Sequence, residues 1–263
     1  MVIVLEGQGF SRKQQQYAVA QVIGRMAHPD SERETARWLR ETSGLDELLE
    51  ADFSWVSDNI LHRTADQLYG SKEKIEEQLS QRTRDLFSLE ERLILYDLTN
   101  SYFESPKRGS RVAKYGKSKE KRRDCPLITL ALVVDGQGFP KRSRIFEGNV
   151  SEPETLWRIL ETLDGEKEGK GPRTVIIDAG IATEENLEAL RKDRRFEYVA
   201  VSRKKVSASV FAESEAKTIE MSRHKVLTVK AVRQGEELLM VCHSPEREAK
   251  DEGILLRRRT RFE

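Results

Sequence analysis

Apolar side chains spaced three and four apart mark the first 90 residues as helical. Val19, Val22, Ile23 and Met26 form one such stripe. Pro29 interrupts it, and Ser31 with Glu34 three positions later predicts a capping box for a second helix carrying Ala36 and Leu39. Ile75, Leu79 and Leu86 mark a later helix. Beyond Glu90 the texture changes to short apolar runs of strand type: Leu93 to Tyr96, Leu127 to Val134, and residues 143 to 147 after the turn signal Asp135-Gly136-Gln137-Gly138. The unbroken apolarity of 127 to 134 predicts burial on both faces. Ser151 and Glu154 then open a helix with Leu156, Ile159, Leu160 and Leu163 on one stripe, and a Gly-rich polar stretch ends it near 171.

Thr174 to Ile177 is the fourth predicted strand. Thr183 caps a helix with Leu187 and Leu190, and Phe196 to Val201 is the fifth strand. Three strands in a meander, followed by strands reached through helices, predict an α/β layer with a mixed sheet. Val226 to Val232 and Glu237 to Cys242, joined at Gln234-Gly235, add two more strands. The chain divides on this basis into a helical module at 1–90, an α/β core at 91–205, and a strand-rich segment with a basic tail at 206–263.

At 263 residues the chain needs neither disulfides nor structural metals to bury a core. Charged residues make up 35% of it, and no apolar run reaches the length of a membrane crossing. With no signal-peptide pattern at Met1 and only Cys125 and Cys242 as thiols, a reducing cytoplasm is the expected compartment. His28, His62, His224 and His243 are scattered, and neither cysteine has a partner at zinc-ligand spacing. Gly7-Gln8-Gly9 precedes no clear phosphate-binding helix, and the adjacent His243 and Ser244 lack an orienting carboxylate motif for nucleophilic catalysis. The net charge of +1 conceals a strong asymmetry. Residues 41–60 hold six acids and no Lys or Arg, whereas 105–124 hold nine basic and two acidic side chains. The second segment attracts phosphate and the first repels it.

Asp97 and Asp178 each follow a strongly apolar strand, where open α/β sheets place their ligands. If the first and fourth strands are neighbours, the two carboxylates approach one another and repel. A divalent cation resolves that conflict, and Mg²⁺ (or Mn²⁺) bound weakly through Asp97 and Asp178 is the expected cofactor.

The segment from Leu93 to Glu104 (LILYDLTNSYFE) resembles the first-aspartate motif of insertion-sequence transposases of the DDE class, in the branch whose ribonuclease H-like core carries a strand-rich insertion. Gly116 with Ser118, Lys119, Glu120 and Arg123 is similar to that family's basic loop, and Gly138-Phe139-Pro140 and Gly148-Asn149 follow in order. The run from Thr174 to Ala182, with Asn186 and Leu187, resembles the second-aspartate motif, and Tyr198, Ser202 and Arg203 fit the next strand. Met26 to Leu39 and Leu61 to Leu68 resemble the family's N-terminal region. The resemblance implies a ribonuclease H-like mixed sheet with flanking helices and a partial insertion. It also implies metal-dependent DNA hydrolysis and strand transfer at transposon ends, with Asp97 and Asp178 as catalytic and metal-binding residues.

The family's third carboxylate is a helix-borne Glu beyond the inserted strands. No residue of this chain is assigned that role: Glu246 and Glu248 lie in a piece resembling the run-up to that helix, and nothing follows Glu263. A chain ending before the third carboxylate is therefore expected, with strand transfer impaired when it acts alone. Its partners would be duplex DNA at transposon ends and target, and a further copy or a full-length transposase. Lys107, Arg108, Arg111, Lys114, Lys117, Lys119, Lys121, Arg122, Arg123 and Arg203 are the expected DNA contacts, positioning phosphates without reading bases. Two alternatives stand beside this reading. One is a DNA-binding fragment without catalysis. The other is a haloacid dehalogenase-like phosphatase, because Ile94 to Thr99 also resembles that family's strand-end nucleophile, with Asp97 in the role.

Overall fold

The computed structural model describes residues 1–89, 93–116, 122–163, 171–202, 207–211, 214–221 and 225–259. The chain forms two compact units, Met1–Val201 and Ser202–Glu263.

The first unit begins with six helices: α1 (Val2–Gly7), α2 (Arg12–Ala27), α3 (Glu32–Glu41), α4 (Leu45–Leu49), α5 (Asp58–Gly70) and α6 (Lys72–Phe87). Ser31 caps α3 by accepting the Glu34 amide, but the full reciprocal box stands at Ser11 and Gln14, at the start of α2. The buried face of α2 also differs from the stripe expected of it. Met26 is 81% exposed, while Tyr17, Ala18, Ala20, Gln21 and Gly24 are buried. Small side chains explain the change, because they let the neighbouring helix come close: a Cβ on Gly24 would meet Thr35 Cγ2 at 3.1 Å. Two apolar clusters result. Tyr17, Ala36, Leu39, Phe53 and Leu61 centre one, and Val4, Leu5, Phe10, Ala18 and Ile75 the other.

A five-stranded mixed sheet follows, built from β1 (Leu93–Tyr102), β2 (Leu127–Val134), β3 (Pro140–Glu147), β4 (Arg173–Ile177) and β5 (Phe196–Ala200) in the spatial order β3-β2-β1-β4-β5. The first three form an antiparallel meander, and β4 and β5 run parallel to β1. Helices α7 (Glu152–Leu160) and α8 (Glu184–Lys192) make the connections into β4 and β5. Their apolar stripes meet Ile94, Tyr96, Leu98, Val133, Phe146, Val175 and Ile177 in the main core. This is the mixed α/β architecture expected.

Burial on both faces is not found. In β2 fully and partly buried residues alternate, and on the same outward face of β1 and β5 Leu95 is 36% and Val199 44% exposed. The reason is coverage: α7 and α8 pack on one face, whereas α6 meets the other at β3 and the turn before it. There the Glu76 carboxylate accepts from Ser143 Oγ at 2.6 Å, and Phe87 stacks on Phe139.

The second unit holds an antiparallel meander of β6 (Lys217–Met221), β7 (Lys225–Gln234) and β8 (Glu237–His243), followed by α9 (Pro245–Arg259). Strand β6 and helix α9 were not expected from the sequence. No helix among the described residues is long and apolar enough to cross a membrane.

Candidate active site

The pairing of β1 with β4 aligns Leu93 with Thr174, Ile94 with Val175 and Leu95 with Ile176. Asp97 and Asp178 each lie two residues beyond the last of these pairs; Asp97 is in the middle of β1 rather than at the strand end the sequence suggested, and Asp178 directly follows the last residue of β4. Both residues are exposed. Asp97 lies opposite Leu132 of β2, on the face where α7 and α8 do not pack. Strand alternation produces this placement: Ile94, Tyr96 and Leu98 turn into the core, and Asp97 turns out between two of them.

Asp178 starts a tight turn. Its Oδ1 accepts from Gly180 N at 3.0 Å and Ile181 N at 3.1 Å, which fixes the carboxylate against its own backbone. Asn186, buried one turn into α8, ties this turn to the start of α7 by donating from Nδ2 to Ile181 O at 2.8 Å and to Pro153 O at 3.0 Å. A second buried tie joins α7 to β1. The Tyr96 hydroxyl donates to Thr155 Oγ1 at 2.6 Å, and Thr155 in turn donates to Glu152 O at 2.6 Å. Burial drives the Tyr96 hydroxyl pKa well above its ordinary value; the Thr155 bond opposes this, and the charges of Glu152 and Asp97 add to it. Glu152 was not singled out in the sequence. Its carboxylate Oε2 occupies the place a Cβ on Gly180 would take, and Asp178 Oδ1 lies 3.2 Å from that same point. Its position straight after Gly148-Asn149, at a helix start leading to the second aspartate, was the available signal.

The expected Mg²⁺ or Mn²⁺ ion held through Asp97 and Asp178 is not supported. Among the described residues no group of three or more His, Cys, Asp or Glu side chains is placed to hold a metal ion. The turn gives a physical reason, since it already engages one Asp178 oxygen with two backbone amides.

Lys107, Arg108, Arg111, Lys114 and Arg123 are exposed on the connection between β1 and β2. Lys107 Nζ lies 5.2 Å from the Phe103 ring centroid. Arg122 is paired with acids of its own chain: it bonds Asp124 at 2.6 Å and Glu104 at 3.0 Å and stacks over Tyr102. These contacts, the Arg122 hydrogen bonds first, hold the Asp124 carboxyl well below the usual carboxylate range. Lys117, Lys119, Lys121 and Arg203 lie outside the described residues. The same connection packs backbone against backbone. Gly148 N donates to Val112 O, and a Cβ on Gly116 would strike Gly148 O.

A family model described as "Transposase DDE domain" matches residues 88–263. No curated protein sequence matches the chain. Among solved structures it is similar to a piggyBac transposase in a synaptic complex with hairpin DNA, at 10% identity and a TM-score of 0.38, over 87% of this chain and 51% of that one. It is also similar to Mos1 transposase in a paired-end complex with the left transposon end, at 14% identity and a TM-score of 0.28, over 71% of this chain and 59% of that one. The chain spans little more than half the length of either, and likenesses this loose carry no argument.

Proposed function

The chain belongs to the transposase DDE-domain family, and from that premise we propose that it is a DNA transposase acting on phosphodiesters at transposon ends, with Asp97 and Asp178 as its site carboxylates. The observation that supports this reading is the parallel pairing of β1 with β4, whose last aligned pair, Leu95 and Ile176, stands two residues before each aspartate. The order β3-β2-β1-β4-β5, with an antiparallel meander on one side and parallel strands on the other, supports a ribonuclease H-like core. Within it, Asp178 is aimed by its turn and by Asn186, and Asp97 by strand alternation. Duplex DNA is the substrate, and Lys107, Arg108, Arg111, Lys114 and Arg123 hold its phosphates beside β1; Lys117, Lys119 and Lys121 of the same connection belong to that set. Arg122 contributes least, because Glu104 and Asp124 already neutralise it. A second transposase copy is the protein partner.

The helix-borne third glutamate of the family is assigned to no residue here. For this reason, and because the described residues hold no three-carboxylate group, a second reading stands: DNA binding without cleavage.

Nicking of supercoiled plasmid decides between them. Nicked product from the wild-type chain, lost in Asp97→Asn and in Asp178→Asn, is the result expected of the enzyme. Salt-sensitive binding of the same plasmid with no nicking selects the second reading. Absence of both defeats the assignment to DNA.

A further inference from the structure

The second unit has little core of its own. Among its described residues only Phe211 is buried, and the sheet β6-β7-β8 keeps large apolar side chains in solvent, with Met240 52% and Leu238 55% exposed. Strand β8 is an edge, paired with β7 on one side. Its hairpin decides which backbone groups face outward. Gln234 pairs with Glu237 across the two-residue turn Gly235-Glu236, which makes them a hydrogen-bonded pair, and the pairs alternate from there. Glu237, Leu239, Val241 and His243 therefore turn their amides and carbonyls to β7, whereas Leu238, Met240 and Cys242 turn theirs to the open side. The two edges of the sheet also differ in protection. Strand β6 carries Lys217 and Glu220, the kind of charge that keeps an edge from pairing with another chain; Leu238 to Cys242 holds no charge, no proline and no bulge.

We propose that β8 pairs antiparallel with β8 of a second copy of this chain, about a two-fold axis at Met240. The proposal rests on the reading above that a second copy is the protein partner, and it says where the two meet. In that register the strand is complementary to itself. The axis sets Leu238 of one copy opposite Cys242 of the other and Leu239 opposite Val241, apolar against apolar, with Glu237 opposite His243, so no like charges face one another. It also matches all three outward-facing residues with their counterparts, whereas a slip of one residue sets outward backbone groups against inward ones. Joined in this way the two copies share one continuous sheet, with Leu238, Met240 and Cys242 of both on the same face.

Sedimentation of the full chain, with and without duplex DNA, tests this, using variants first checked for an unchanged circular dichroism spectrum. Wild type is a dimer, and Met240→Lys, which sets two ammonium groups against each other on the axis, raises the dissociation constant at least about tenfold. Ile219→Lys, at an exposed position of β6, leaves the dimer unchanged. Disulfide trapping reads the register itself. The Cα atoms of a hydrogen-bonded antiparallel pair stand about 5.5 Å apart, within disulfide reach. Diamide oxidation therefore gives a covalent dimer from Met240→Cys in a Cys242→Ser background and none from Ile219→Cys in the same background. If the dimer survives Met240→Lys and Met240→Cys yields no disulfide, the copies meet elsewhere and the proposal falls alone. A wild-type chain that stays monomeric at every concentration, with and without duplex, overturns the second-copy reading and the proposal with it.

Discussion

A methyl group on Gly148 would land on the carbonyl oxygen of Leu127 and crowd that of Lys114, both backbone atoms that cannot swing aside. Gly148→Ala is therefore expected to destabilise the first unit by at least about 2 kcal/mol, read as a lower urea midpoint. Gly180→Ala is a milder case, because the obstructing atom is the end of the flexible Glu152 side chain. Its loss, about 1 kcal/mol, should largely vanish in a Glu152→Ala background, and a double-mutant cycle measures that coupling. Asp193, at the end of α8, accepts from the Arg195 side chain at 2.6 Å and from its backbone amide. The Arg195 hydrogen bond comes first among the causes that hold the Asp193 carboxyl below its ordinary value. A carboxyl depressed on folding adds stability that is present above its unfolded pKa, about 3.9, and lost as pH falls through the lower folded value. The stability gap between wild type and Asp193→Asn should thus be flat near neutrality, about 1 kcal/mol or less given the exposed arginine, and should close below about pH 4. At this scale the sequence is only partly readable. Asp97 and Asp178 announce themselves by following apolar runs, whereas the approach of Glu152 to Gly180 does not, because it joins residues 28 positions apart, one of them without a side chain.

Among the elements, the polar clamp at the start of α7 governs how the site is built. Asn186→Ala removes the Nδ2 bonds to Pro153 O and Ile181 O, although Ile181 O still accepts from Thr183 N, and a cost of about 1–3 kcal/mol for the two bonds follows. Asn186→Asp should be no better, since it offers no hydrogens to Pro153 O and Ile181 O. Thermal unfolding of both variants measures this. The strands of the first unit were legible because each combines a dense apolar run with a turn signal on its flank, and β1, β2, β4 and β5 begin within a residue or so of where periodicity sets them. The cap at Thr183 was legible too, with its hydroxyl accepting the Asn186 amide. Elements with little apolar content were not. Strand β6 is exposed throughout, and α9 is dominated by Glu, Lys, Asp and Arg with its three large apolar residues adjacent rather than spaced, so neither gives a period. The face of α2 was misread for a related reason: Ala and Gly score as weak apolar positions although they permit the closest approach.

For the molecule as a whole, the account joins two aspartates borne by the neighbouring β1 and the turn after β4 with a connection rich in exposed cations. If that connection holds DNA through phosphates, Arg108→Ala combined with Arg111→Ala should weaken binding similarly on unrelated duplexes and lower the slope of log affinity against log salt by about 2. Arg122→Ala should affect stability more than that slope, because its partners are Glu104 and Asp124. The sequence disclosed the family and the asymmetry of charge, but the metal it led one to expect depended on side-chain directions that only the folded turn determines. The central claim is that a DNA backbone reaches the neighbouring strands β1 and β4 at Asp97 and Asp178. Photo-crosslinking tests it most directly, with a benzophenone attached to Thr99→Cys or Ala179→Cys in a background where the exposed Cys242 is replaced by Ser. The account predicts crosslinks to duplex DNA from both positions and none from Glu50→Cys in the acidic segment; crosslinking from Glu50→Cys alone, with both strand-end probes silent, would contradict it.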